Sequence, residues 1–260
     1  MKTIQYFDTH CHLYMDPLCG DTEGILHRAR EAGVTRLIIP SIDTESWDQV
    51  KALADKPEIY PALGIHPWSA DEGLDIQNLE NELTLSSSVA VGEIGLDFIV
   101  ESPDRNTQIR IFRQQMDVAL ELDLPVILHC RGAFEEILSI LSEDSYRGNI
   151  RGVVHAFSRG TQLARQFLDL GFFLAFGGAV TRPRARRARK SSVYIPSDRM
   201  LLETDAPSIG MDGLAPDEVE PAHVVKVAGV IAELRGTTIE DIAGITWTNA
   251  CELFGIDSDD

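Results

Sequence analysis

The chain has 260 residues, 44% hydrophobic and 25% charged, with 41 acidic against 23 basic side chains and a formal net charge of −18. This length exceeds the commonest domain size but suits a barrel of parallel strands, which reaches about 250 residues as one domain. The charge argues against a protein that coats nucleic acid through a general positive field, yet leaves room for an enzyme that handles a few phosphates at a metal centre, where cations supply the positive charge.

No basic segment followed by an apolar run opens the chain, so no signal peptide is expected. No stretch has the length and apolarity of a membrane span, so no membrane association is expected either. Cys11, Cys19, Cys130 and Cys251 are scattered without CxxC spacing, which points to a reduced cytoplasmic protein rather than a disulfide framework. The default expectation for assembly is a monomer.

Short β-rich apolar runs alternate with longer amphipathic segments along the chain. Strands are predicted at Ile4–Phe7, Arg36–Pro40, Ile59–Gly64, Val89–Ile94, Pro125–His129, Gly152–His155, Phe172–Phe176 and Met200–Glu203. Helices are predicted at Thr22–Ala32, Glu45–Lys56, Asp75–Leu85, Thr107–Leu122, Phe134–Leu141, Thr161–Leu170, Ala185–Val193, Asp217–Leu234 and Ile239–Phe254. Thr238 is placed to cap the last helix and Gly255 to end it. Eight strands alternating with helices predict a (β/α)8 TIM barrel, and with no repeat, linker or low-complexity block the barrel is expected to be one domain over 1–260. The alternative, a doubly wound open sheet, lacks a GxGxxG-type loop after the first strand. The tail Asp257 to Asp260 is expected to be frayed.

In such barrels chemistry sits at the C-terminal ends of the strands. His10 and His12 follow the first predicted strand, one residue apart, and side chains that alternate with period two place both imidazoles on one side. Taken alone, that spacing is a weak signal. Glu93 ends the fourth strand, His129 the fifth and His155 the sixth, while Asp205 follows the eighth. Six nitrogen and oxygen ligands exceed the three of a typical single catalytic zinc, so two divalent cations are expected. Zinc, manganese and magnesium all suit such ligands.

The same residues carry a resemblance. Phe7-Asp8-Thr9-His10-Cys11-His12, Leu63-Gly64-Ile65-His66-Pro67, Val91-Gly92-Glu93-Ile94-Gly95-Leu96-Asp97, Leu124 to His129, Val154-His155-Ala156-Phe157-Ser158 and Leu202-Glu203-Thr204-Asp205-Ala206-Pro207 resemble, in order and spacing, the TatD family of metal-dependent hydrolases within the amidohydrolase superfamily. The resemblance runs from near residue 4 to Gly255. It implies a binuclear centre in which His10, His12 and Asp205 hold one ion, His129 and His155 the other, and Glu93 bridges them. A bridging carboxylate at this position, rather than a carboxylated lysine, favours TatD-like over phosphotriesterase-like or urease-like chemistry. Asp205 would be catalytic as well as a ligand, accepting a proton from the attacking water.

Three further residues are singled out. His66, after the third strand, reads as a catalytic or substrate-binding contact to phosphate or leaving group, or else as structural. Arg131, two residues beyond His129, either clamps a substrate phosphate or pairs with a neighbouring carboxylate to orient the site. Glu203 lies two residues before Asp205 and is expected to support it from behind.

The basic run Arg182 to Lys190 reads either as a solvated helix start or as a phosphate-contacting lip. The chain departs from the family pattern at Cys130-Arg131-Gly132-Ala133, at Val219 before Glu220, and at Leu214 to Glu218, all where a substrate would be gripped. The expected activity is therefore phosphodiester hydrolysis of TatD-like deoxyribonuclease or exonuclease type, on nucleic acid or a phosphorylated small molecule. The alternative is a carbonyl hydrolase cleaving an amide, lactone or aminoacyl ester on the same scaffold. A barrel that has lost catalysis and only binds is disfavoured, because all six ligands are present.

Overall fold

The computed structural model describes residues 4–257. Of the tail Asp257 to Asp260, only Asp257 lies among the described residues. Eight parallel strands follow one another in the order β1 to β8 as a nearly closed (β/α)8 TIM barrel. They are β1 (Tyr6–Asp8), β2 (Val34–Pro40), β3 (Ile59–Leu63), β4 (Ala90–Asp97), β5 (Val126–Arg131), β6 (Gly152–Val154), β7 (Phe173–Phe176) and β8 (Met200–Leu202). The helices between and after them are α1 (Thr22–Glu31), α2 (Thr44–Leu53), α3 (Ile76–Leu85), α4 (Arg105–Glu121), α5 (Phe134–Leu141), α6 (Thr161–Asp169), α7 (Arg186–Tyr194), α8 (Val224–Arg235) and α9 (Ile239–Phe254). The chain divides into two compact units. One holds the described part of Met1–Ile39 and Phe173–Asp260 with Ala156–Arg165; the other holds Pro40–His155 with Gln166–Phe172.

All eight residues of β4 are buried, as expected of a parallel strand covered on both faces, which reads as a near-continuous apolar run rather than an alternating one. Helix starts follow their capping chemistry. Asp43 accepts from Ser46 N at 2.7 Å before α2, Asp104 from Asn106 N at 2.9 Å before α4, and Thr238 from Asp241 N at 3.1 Å before α9. Gly255 ends α9 in the left-handed conformation.

Two boundaries differ from expectation in ways that matter. The helix predicted over Asp217–Leu234 begins only at Val224, preceded by short 3-10 turns at Pro216–Glu218 and Pro221–His223. Proline lacks an N–H and keeps the residue before it out of helical conformation, so Pro221 blocks the earlier start. β4 runs past its predicted end at Ile94 to Asp97. Its register pairs Gly95 with His129 and Asp97 with Arg131 on β5. The first pairing requires glycine: Gly95 has φ +148, and a Cβ there would lie 2.0 Å from His129 O. Among the described residues, no helix is long and apolar enough to cross a membrane.

Candidate metal centre

Two groups of ligand-type side chains form, one in each compact unit. In the first, His10 and His12 lie just past β1 and Asp205 just past β8. The backbone brings them together: Asp205 N–H donates to His10 O at 2.8 Å and His12 N–H to Ala206 O at 2.7 Å. Asp8, at the end of β1, ties the same segments from beneath. Its carboxylate accepts from Thr204 N at 2.9 Å and Thr204 Oγ1 at 2.6 Å, and burial pushes its pKa up to about 7 against those hydrogen bonds. His10, His12 and Asp205 are all nearly fully buried. His10 Nε2 and His12 Nε2 are 3.1 Å apart, and Asp205 Oδ1 lies 3.8 Å and 3.6 Å from them. Asp205 holds φ +54, a left-handed conformation that costs a non-glycine residue about 1 kcal/mol or more. Strain of this kind is concentrated at functional positions.

The second group gathers around Glu93 in β4. Its Oε1 lies 2.8 Å from His129 Nδ1, 2.8 Å from His155 Nε2 and 3.4 Å from His66 Nε2. Glu93 N–H donates to Ser41 O at 3.0 Å and His66 N–H to Ile42 O at 2.8 Å, which fixes both backbones. His66 Nδ1 accepts from Trp68 N at 3.2 Å, so the neutral ring carries its proton on Nε2. Burial drives the His66 pKa down to about 4, which keeps the ring neutral near pH 7. His66 is thereby an N–H donor toward the centre, although it stands close enough to Glu93 and His129 to share an ion with them.

Behind His129 stands Asp97, fully buried at the end of β4 and absent from the predicted site. Its Oδ2 meets Trp68 Nε1 at 2.8 Å, Arg131 Nε at 3.2 Å and His129 Nε2 at 3.5 Å. Burial works to raise the Asp97 pKa, but the His129 and Trp68 hydrogen bonds prevail and hold it well below the usual carboxylate range. Burial likewise works to lower the His129 pKa, and Asp97 and Glu93 together raise it. The predicted fourth strand ends at Ile94, short of Asp97, and Trp68 lies in the turn beyond β3, outside any predicted element. The available signals were the acid closing Gly92 to Asp97 and the aromatic directly after His66-Pro67.

The donor set fits divalent cations. His10, His12 and Asp205 each offer one ligand atom within 4.8 Å of the others, as do His66, Glu93 and His129. Two buried imidazole nitrogens 3.1 Å apart suit a shared cation that takes both lone pairs. Buried carboxylates also need compensating positive charge.

Glu203 is fully buried and accepts from Ala156 N at 2.5 Å. With Thr204, Asp205, Ser158 and Arg182 it lines a cavity of about 340 Å³. Arg182 and Arg184 lie between β7 and α7, and Arg186 and Arg187 open α7; all four are exposed. Arg182 Nη2 donates to Gly210 O at 2.6 Å. Of the departures from the family pattern, Val219 is buried and Glu220 is engaged by Arg28 of α1 at 2.8–3.0 Å, so that stretch serves packing.

A (β/α)8 barrel with histidine and carboxylate groups at its strand ends defines a metal-dependent hydrolase. The family described as TatD related DNase matches residues 7–255, and the chain belongs to it. It is 35% identical over 257 residues to a protein of Escherichia coli (strain K12) named uncharacterized metal-dependent hydrolase YjjV, covering 97% of this chain and 98% of that one. The crystal structure of YjjV from Escherichia coli K12, described as a TatD homolog, is similar with a TM-score of 0.91 at 34% identity, covering 98% of this chain and all of the other. A protein of Danio rerio named putative deoxyribonuclease tatdn3 is 29% identical over 264 residues, covering 96% of this chain and 97% of that one.

Proposed function

We propose that this TatD-family hydrolase cleaves phosphodiester bonds at nucleic-acid ends with two divalent cations, zinc, manganese or magnesium. The observation that carries the reading is the pair of buried histidine and carboxylate groups. As the family resemblance implies, His10, His12 and Asp205 would hold one ion, and His129 and His155 the second, with Glu93 the carboxylate they would share. Bound there, divalent cations would supply Lewis acidity toward a phosphoryl oxygen and lower the pKa of water toward neutrality. Asp205 would accept a proton from water as the water oxygen bonds to phosphorus and the bond from phosphorus to the leaving oxygen breaks, the leaving oxygen taking its proton from solvent. His66 offers its Nε2 proton as a hydrogen bond to a phosphate oxygen, and Arg131, half-exposed beside Asp97, adds positive charge. The names of the matched family and of tatdn3 support deoxyribonucleic acid as substrate.

The cavity beside Asp205 supports a second reading. Beside Glu203, Asp205 and Arg182, its lining includes Ala156, Ala179, Ile209 and Pro216, an apolar wall that would take the acyl group of a carbonyl ester. The deciding experiment offers metal-analysed protein labelled single-stranded DNA, bis-nitrophenyl phosphate and a nitrophenyl ester, each with Mn²⁺, Mg²⁺ or Zn²⁺. Nucleotide release that falls on the order of 10³-fold in Asp205→Asn is expected. Ester cleavage without phosphodiester cleavage moves the function to carbonyl chemistry.

A further inference from the structure

Trp68 is 51% exposed, whereas Trp47 and Trp247 are buried at 4% and 7%. A lone exposed aromatic is ordinary in itself. What separates Trp68 is how firmly it is held. Its Nε1–H donates to Asp97 Oδ2 at 2.8 Å, and its ring stands steeply inclined to that of His66, with centroids 4.5 Å apart and planes at 76°. Its backbone N–H caps His66 Nδ1. The backbone N–H, the indole N–H and the ring beside His66 are all engaged, yet half of the residue's surface faces solvent. Pre-organised aromatic surface of this kind gives up little conformational freedom on binding a flat partner.

The same Asp97 oxygen contacts Arg131 Nε at 3.2 Å, and the Arg131 side chain is 48% exposed. One buried carboxylate thus fixes a planar aromatic face and a guanidinium next to each other. A planar ring joined to a phosphate by a short linker is the chemistry of a nucleotide unit, in which stacking on an aromatic side chain tolerates any base.

We propose that Trp68 is the substrate-positioning platform of this enzyme: a nucleobase next to the scissile phosphodiester stacks on its indole, and Asp97 holds the indole and Arg131 in register. The inference rests on the phosphodiesterase reading above and adds the base as a recognised part of the substrate. Trp68 follows His66 by two residues, so the stacked unit lies against the group that faces Glu93.

The test uses metal-loaded protein with two oligomers of equal length and charge, oligodeoxythymidylate and its abasic counterpart. Oligodeoxythymidylate quenches the exposed tryptophan fluorescence and has a KM on the order of 10-fold below that of the abasic oligomer. In Trp68→Ala the two KM values converge. Trp68→Phe keeps a ring face but lacks the indole N–H, and it preserves most of the difference. Equal KM values for both oligomers in the wild type, or equal losses in the Phe and Ala variants, overturn the platform while leaving phosphodiester cleavage standing. Cleavage of neither oligomer beside turnover of a carboxylic ester overturns the phosphodiesterase reading, and the nucleobase occupant with it.

Discussion

At the scale of single residues, the direction of one hydrogen bond separates His66 from the histidines proposed as ligands around it. Because Trp68 N–H points at His66 Nδ1, a neutral His66 has no lone pair left on the Nε2 that faces Glu93. His66→Ala is therefore expected to lower kcat on the order of 10²-fold, the scale of losing one donor at a reacting oxygen, while metal analysis still finds both ions. Loss of an ion in that variant would make His66 a ligand. The six residues expected as ligands stood out in the sequence as histidines and acids after apolar runs, and the structure places His10 and His12 beside Asp205, and Glu93 beside His129 and His155. Asp97 and Trp68 did not stand out, since their importance lies in a shared hydrogen bond between the ends of two different elements. Arg131 left two roles open in the sequence, and its contact with Asp97 shows how one guanidinium can orient the site and still present charge to solvent.

Elements were legible wherever periodicity and capping agreed. Every strand was placed within a few residues, and α9 was bounded by Thr238 and Gly255 as its chemistry demands. The start of α8 was misplaced because apolar periodicity continues backwards through Val219, while Pro216 and Pro221 impose separate turns. The extent of β4 was misplaced for the opposite reason. Gly95 looks like a turn residue, but it is there so that the backbone of β4 can approach His129 O. The basic run divides between a loop and a helix: Arg182 and Arg184 precede α7 and Arg186 and Arg187 form its first turn. Arg189 instead turns back to Val180 O at 3.1 Å. Replacing Arg182, Arg184, Arg186 and Arg187 with glutamine is expected to weaken binding to single-stranded DNA. It should also flatten the salt dependence, by roughly 0.7 in slope for each phosphate that is no longer neutralised. Unchanged affinity and slope would return these side chains to a solvated helix start.

For the molecule as a whole, the formal charge of −18 and the buried carboxylates Asp8, Glu93, Asp97, Glu203 and Asp205 pose the same problem at two scales. On the proposed function, an acidic protein that handles phosphates needs concentrated positive charge where the substrate sits, which divalent cations at the histidine–carboxylate groups would supply. The barrel itself was legible from the alternation of strands and helices. Substrate identity was not, because one scaffold of this type carries many chemistries and the choice lies in a few loop residues. The most direct test of the account is metal content measured on purified protein after reconstitution, in the wild type and in Glu93→Ala. Two divalent ions per wild-type chain are expected, with at most one retained in the variant and hydrolysis abolished. Full loading and wild-type turnover in Glu93→Ala would contradict a two-ion centre built on that carboxylate.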